Sequence, residues 1–147
     1  MAVERALVDT SVLIYATLSE DPRFERARAV LSAGPRRQRS LHVSVQNLAE
    51  MFPNLTGPKM SVPDSPRQAR EKIATLASLP GIQVLPVTPD VVIQALELCE
   101  RYGATRQRYF DMQLAATMIV NGLDTIFTEN IRDFQMIGEI KAVNPFE

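Results

Sequence analysis

Four acidic residues occupy positions from which they could act together. Asp9 ends the apolar segment "ALVD", and Asp111 begins the nearly all-apolar segment "DMQLAATMIV". Glu50 lies in "SVQNLAEMF", and Asp133 lies in "TIFTENIRDF". Carboxylates gathered in a cleft of low dielectric repel one another strongly. Such a cluster therefore either keeps some of its protons or binds a cation.

The cation that these residues could bind is a hard one. The chain has one histidine, His42, and one cysteine, Cys99, so the ligands of a metal site would all be oxygen atoms. Oxygen ligands favour Mg²⁺ or Mn²⁺ over zinc. One or two such ions, held by a few carboxylates, activate water and stabilise the leaving oxygen in phosphodiester cleavage. The residue types therefore point to phosphodiester chemistry, while the spacing alone leaves the kind of phosphodiester open.

The elements that must position these acids are short strands alternating with helices. Strand-like segments are predicted at 5–8, 40–43, 82–87 and 124–128, with a possible fifth at 141–145. This alternation predicts an α/β fold with a mostly parallel sheet covered by helices on both faces. Ligands of such folds bind beyond the carboxyl ends of the strands. Asp9, Glu50 and Asp133 each come on or soon after such an end, so we expect them at one edge of the sheet.

Each acid also has a structural interpretation that competes with the functional one. Asp9 is a good N-cap residue, although Thr10 or Ser11 could begin the same helix. Asn130 and Asp133 have the spacing of a capping box. These interpretations stay open at the level of the residues.

Two of the acids lie on predicted helices, and the helical period places one on a polar face and the other on an apolar face. Glu50 points away from the apolar face formed by Val45, Leu48, Ala49 and Phe52, which is typical of a solvated side chain. Asp111 instead shares its face with Leu114, Ala115 and Met118. A carboxylate on an apolar face must find partners or lose its charge, so Asp111 favours a functional role.

The whole chain has the composition of one ordinary domain. It has 147 residues, 46% of them hydrophobic and 22% charged, so we expect a single domain over residues 1–147. A proline-rich segment at 53–66 is predicted to be an exposed loop between two helices. A net charge of −1 gives no global basic field.

The sequence also bears on location. No apolar run approaches the roughly 20 residues that a membrane span needs. The N-terminal segment "MAVERALVD" carries both an acid and a base early, which is not typical of a signal peptide. A single cysteine fits a reducing compartment, so we expect a cytoplasmic protein without a membrane partner.

Four segments of the sequence resemble the PIN-domain ribonucleases, and in particular the VapC toxins of toxin–antitoxin pairs. They are "LVDTSVLIY", "SVQNLAEMF", "FDMQLAATM" and "IFTENIRDF", and they occur in the family's order over nearly the whole chain. The resemblance implies a PIN-like, Rossmann-like α/β/α sandwich with a sheet of four to five strands. It also implies endonuclease action on RNA with Mg²⁺ or Mn²⁺ as cofactor.

The resemblance assigns roles to individual residues. Asp9, Glu50 and Asp111 would be the first three catalytic and metal-binding acids. Many relatives have their fourth acid where this chain has Asn130, so Asp133 is assigned that role and Asn130 one of polar support. Further supporting or substrate-binding positions are Thr10, Ser11, Thr128 and Arg132, with the arginines of 101–108 as other guides for the strand. The resemblance also implies a homodimer and a VapB-like antitoxin.

Three other functions remain open at this stage. A phosphatase resembling the haloacid dehalogenases would need a second aspartate where Ser11 stands. A PIN-family RNA-processing nuclease would act without an antitoxin. A non-catalytic module would bind RNA or another partner without cutting it, and Asn130 gives this alternative some support. A small upstream gene for a DNA-binding antitoxin would favour the toxin over the processing nuclease.

Overall fold

A computed structural model describes residues 4–147. It has five strands: β1 (Glu4–Val8), β2 (Arg39–Ser44), β3 (Ile82–Leu85), β4 (Thr125–Phe127) and β5 (Lys141–Val143). It has six α-helices: α1 (Thr10–Tyr15), α2 (Phe24–Ser32), α3 (Val45–Leu55), α4 (Pro66–Ala77), α5 (Pro89–Tyr102) and α6 (Arg108–Val120). A 3₁₀ turn covers Ile131–Asp133.

The strands form one sheet in the order β3-β2-β1-β4-β5, and every neighbouring pair is parallel. The predicted α/β fold is thus confirmed, and the possible fifth strand is present at the edge beside β4. Since β1 lies in the centre, its carboxyl end opens between β2 and β4. Residues that follow these three strands are therefore the ones that the sheet brings closest together.

Two apolar cores cover the two faces of the sheet. Alternate residues of β1 point to opposite faces, so Ala6 and Val8 join one core and Leu7 joins the other. The first core packs against α1, α2, α3 and α4, and the second packs against α5 and α6. Both faces are covered, which is why the strands read as continuous apolar runs instead of alternating ones.

The helix starts differ from the prediction at two positions that matter for the site. Asp9, and neither Thr10 nor Ser11, is the N-cap of α1, because its Oδ1 accepts a hydrogen bond from the Thr10 backbone N–H at 2.8 Å. Helix α6 begins at Arg108 and not at Asp111. Asp111 therefore lies within the first helical turn, where the backbone N–H groups have no intrahelical acceptor.

The proline-rich segment starts later than expected. Helix α3 continues through Pro53 to Leu55, so the connection to α4 comprises residues 56–65. Ser65 is the N-cap of α4 and forms a capping box with Gln68. No helix within residues 4–147 is long and apolar enough to cross a membrane.

Candidate active site

All four acids line one cleft at the carboxyl edge of the sheet. Asp9 follows β1, Glu50 lies on α3 after β2, Asp111 lies in the first turn of α6, and Asp133 ends the 3₁₀ turn after β4. The cleft has a volume of about 830 Å³. The structure thus brings together the acids that the sequence grouped.

Asp9 lies deepest and is held by three donors. Its Oδ2 accepts the Thr128 hydroxyl at 2.7 Å, and its Oδ1 accepts the Thr10 N–H at 2.8 Å and the Asn47 side-chain amide at 3.3 Å. Thr128 and Asn47 are themselves completely buried. Asp9 therefore has one fixed orientation, and it serves as helix cap and as cleft residue at once.

Burial dominates the protonation of Asp9. Its pKa is raised from 3.8 to about 6, chiefly by the loss of water and in smaller part by the charges of Glu50 and Asp133. The hydrogen bonds from Thr128 and Thr10 act in the opposite direction, because they favour the ionised form. The carboxyl group is thus poised so that a nearby cation would favour its ionised form.

Glu50 occupies the side of α3 that faces the cleft, as its position after a strand end predicted, although its polar helix face is typical of a solvated side chain. Its Oε1 accepts the Gln46 side-chain amide at 2.8 Å, and its Oε2 accepts the Thr10 hydroxyl at 3.3 Å. The expected apolar face of α3 is not a core face, because Val45 and Phe52 are exposed while Gln46 and Asn47 are buried. Helical periodicity predicts that the apolar residues are the buried ones. It could not show that polar residues of α3 are buried instead, because their burial depends on the polar cleft that other elements form.

Asp111 and Asp133 share one arginine. The Arg108 guanidinium lies 3.1 Å from Asp111 Oδ2 and 3.5 Å from Asp133 Oδ1. The pKa of Asp111 is raised from 3.8 to about 6, mainly by burial and then by the charge of Asp133, while Arg108 acts to lower it. The distances and the mutual charge effects place these two acids close together in the cleft.

The residues after β4 have roles that differ from the capping box. Asn130 makes no side-chain cap, and its backbone N–H donates to the Thr128 hydroxyl at 3.0 Å. Asn130 and Ser11 line the cleft, and Ser11 accepts the Glu129 N–H at 3.2 Å. Arg132 is exposed and is not among the residues that line the cleft. Arg108 is the arginine that reaches the acids.

A second polar cluster at the rim was not foreseen. Arg23 donates to Tyr15 at 2.8 Å and to Glu129 at 3.0 Å, and it forms an ion pair with Asp21 at 2.9 Å. Its guanidinium carbon lies 4.0 Å from the centre of the Tyr15 ring. Asp21 precedes Pro22, and an aspartate-proline pair is the sequence pattern of a helix start, although α2 begins at Phe24. The cluster ties the α1–α2 connection to the segment after β4.

The donor set of the cleft fits a hard divalent cation by its chemistry, because every candidate ligand is a carboxylate oxygen. Within residues 4–147, however, no group of three or more His, Cys, Asp or Glu side chains is arranged so that it could hold a metal ion. Asp9 is turned to Thr128 and the α1 backbone, and Asp111 is turned to Arg108. Binding of a cation would therefore require these carboxylates to exchange partners.

The sequence model of the PIN domain family matches residues 6–139. The match includes the last three residues of β1 and the whole of β2, β3 and β4, ends before β5, and spans all four acids. The chain therefore belongs to the PIN domain family. This membership argues against the phosphatase resembling the haloacid dehalogenases. No curated protein sequence matches the chain.

Solved structures of toxin–antitoxin proteins have the same fold. VapC20 of Mycobacterium tuberculosis, described as a toxin that cleaves the sarcin-ricin loop, superposes with a TM-score of 0.68 at 22% identity, over 90% of this chain and 95% of that one. VapBC2 of Rickettsia felis, bound to promoter DNA, gives 0.67 at 18% identity, over 95% and 98%. A Klebsiella pneumoniae toxin–antitoxin complex gives 0.64 at 21%, over 97% and 98%. At such identities the likeness establishes the fold.

Proposed function

We propose that this protein is a metal-dependent endoribonuclease that cleaves RNA phosphodiester bonds. The observation that carries the proposal is the convergence of Asp9, Glu50, Asp111 and Asp133 on one cleft of a PIN-family sheet. Burial is the main cause of the raised pKa values of Asp9 and Asp111, and the charges of neighbouring acids add to it. A divalent cation in the cleft would favour the ionised form of both carboxyl groups.

Asp9 and Asp111 would bind the ion directly, and Glu50 and Asp133 would complete its shell through water or hold a second ion. When bound, Mg²⁺ or Mn²⁺ lowers the pKa of a water molecule and stabilises negative charge on the phosphate. The chain's own residues do the rest. Thr128 and Asn47 orient Asp9, while Thr10 donates to Glu50.

The proposed RNA strand would enter along the cleft, where basic side chains are few. Arg108 reaches into the acids, and Lys59 lines the cleft from the 56–65 connection. Released from Asp111 by a bound cation, the Arg108 guanidinium would be free to contact a phosphate, for which its fork geometry is suited. The proposed part of Arg132 in guiding RNA is correspondingly smaller, because Arg132 is exposed and, within residues 4–147, pairs with none of the four acids.

The decisive experiment is cleavage of a structured RNA pool by the purified protein. We expect cleavage with Mn²⁺, none with EDTA, and none by Asp111→Asn with Mn²⁺. Cleavage that persists in EDTA would contradict the metal requirement. A folded wild-type protein that binds the RNA without cutting it under any condition would instead support the non-catalytic RNA-binding module.

We further propose that the protein is the toxin of a type II toxin–antitoxin system and acts as a homodimer. The structural relatives described as toxin–antitoxin complexes support a VapB-like antitoxin whose tail would lie across the acidic cleft. Val45 on α3 and Phe110 on α6 are exposed and line a common groove, and this apolar surface supports the dimer proposal.

Growth and solution measurements test these two partner proposals. Expression in a bacterial host should arrest growth. If a small gene for a DNA-binding protein lies upstream, its co-expression should relieve the arrest. A protein that cleaves RNA but leaves growth unaffected, without such a gene, would be the RNA-processing nuclease. Light scattering that gives a monomer mass would contradict the dimer.

A further inference from the structure

The side-chain amide of Gln46 joins two helices at the cleft. Its nitrogen donates to Glu50 Oε1 at 2.8 Å and to the Phe110 backbone carbonyl at 2.9 Å. Its oxygen accepts the Gln113 amide at 2.9 Å. Gln46 lies on α3, one turn before Glu50, whereas Phe110 and Gln113 lie on α6. One amide therefore contacts both helices that carry cleft acids.

The polarity of this amide is fixed by its surroundings. Gln113 can donate to Gln46 because its own oxygen is taken by the Tyr109 hydroxyl at 2.9 Å. A reversed Gln46 amide would set oxygen against the Glu50 carboxylate and against the Phe110 carbonyl. Gln46 is only 9% exposed, so water could not relieve those repulsions. The series of hydrogen bonds from Tyr109 through Gln113 and Gln46 to Glu50 thus has one consistent direction of donation.

The position of the contacts matters for the acids. Glu50 is bound through its carboxylate, and Phe110 immediately precedes Asp111. The same nitrogen therefore sets where the Glu50 carboxylate lies relative to the backbone from which Asp111 projects. Residues that hold ligand side chains in this way affect metal affinity by about 10- to 100-fold in metalloproteins.

We propose that Gln46 is a positioning residue, which orients Glu50 toward Asp111 for cation binding, with Gln113 and Tyr109 fixing its amide. The proposal rests on the proposed metal-dependent function. It assigns no contact between Gln46 and the ion or the RNA. A role confined to packing α3 against α6 would make a different prediction, because methionine fills similar space without donating a hydrogen bond.

A double-mutant cycle separates the two roles. The Mn²⁺ affinity of each protein is measured by titration calorimetry, with no RNA present. The proteins are the wild type, Gln46→Met, Glu50→Gln and the double variant. We expect Gln46→Met to weaken Mn²⁺ binding about tenfold. Adding Gln46→Met to Glu50→Gln should cause little further loss of Mn²⁺ affinity, because residue 50 then has no carboxylate for Gln46 to position.

Asn54→Ala is the matched control. Asn54 lies one turn after Glu50, is exposed, and donates its side-chain amide to the Glu50 backbone oxygen at 2.8 Å. It makes no hydrogen bond to the Glu50 carboxylate, so its loss should leave Mn²⁺ affinity unchanged. Gln113→Met provides a second variant if Gln46→Met fails to fold. It removes the donor to Gln46 Oε1 and the acceptor of the Tyr109 hydroxyl but leaves the Gln46 donor to Glu50 in place, so a weakening smaller than tenfold is expected.

The outcomes are distinguishable. Wild-type affinity in folded Gln46→Met, beside weakened binding in Glu50→Gln, would overturn the positioning role and leave the metal site standing. Equal losses from Gln46→Met with and without Glu50→Gln would overturn it as well, since the effect would then not pass through Glu50. A wild-type protein that binds no Mn²⁺ would overturn the proposed function and this inference together.

Discussion

The Thr128 hydroxyl donates to Asp9 Oδ2 at 2.7 Å, although the two residues lie 119 positions apart. The same hydroxyl accepts the Asn130 backbone N–H at 3.0 Å, which fixes the direction of its proton. Thr128 therefore favours the ionised form of the most buried acid in the cleft. This bond joins the end of β1 to the end of β4 and orients Asp9 for the cleft.

Thr128→Val should impair cleavage more than it impairs folding. Valine keeps the shape of threonine but removes the donor, so the pKa of Asp9 should rise beyond about 6 and protons should compete better with the cation. We expect a decrease in cleavage rate of at least about tenfold at pH 7. Thr128→Ser, which keeps the hydroxyl, should retain most of the activity. Equal rates for the valine and serine variants would contradict the role of the hydrogen bond.

Asp111→Asn should abolish cleavage and leave the fold intact. The folded-state pKa of Asp111 lies above its ordinary value of 3.8, so ionisation above pH 6 costs stability in the metal-free protein. Removing that charge should leave the melting temperature at pH 7.5 unchanged or higher, because the lost Arg108 ion pair is part-exposed and contributes little. Circular dichroism in EDTA measures this. Unfolding of the variant would show that Asp111 is chiefly a structural residue.

Much of the fold follows from local patterns, because strands buried on both faces read as short apolar runs and helix starts carry serine-proline or threonine-proline pairs. The four acids could be grouped for the same reason, since three of them follow strand ends. Asn47 and Gln46 were missed because their partners, Asp9 and Phe110, are distant in sequence. The exposed Val45 and Phe52 were misassigned because helical periodicity records apolarity and not which face meets the sheet.

Mn²⁺ affinity should rise with pH through about 6 and then level off. Asp9 and Asp111 both have pKa values of about 6, so below that pH protons occupy the sites that the cation needs. The slope of log affinity against pH should lie between one and two in the range of about 4.5–6, according to whether one or both carboxyls must lose a proton. Titration calorimetry at several pH values gives it. An affinity independent of pH across this range would contradict direct binding by these two acids.

His42 should make the fold sensitive to acid independently of the cleft. It is 2% exposed on β2, its Nε2 lies 3.2 Å from the Ser40 hydroxyl, and its Nδ1 has no hydrogen-bond partner within the described residues. Burial lowers its pKa below 6.5, and the charge of Arg5 lowers it further. Below pH 6.5 the unfolded chain therefore binds a proton that the folded protein does not, so stability falls as the pH falls.

His42→Leu removes this proton and should flatten the corresponding part of the pH dependence. Denaturant unfolding of the wild type and the variant, both in EDTA, should give free energies of unfolding whose difference changes below pH 6.5 in favour of the variant, by up to about 1.4 kcal/mol per pH unit. Taking the difference cancels the titration of Asp9 and Asp111, which has the opposite sign because their folded-state pKa values are raised. Parallel curves for the two proteins between pH 7.5 and about 5 would show that His42 is protonated as readily in the folded state as in the unfolded one.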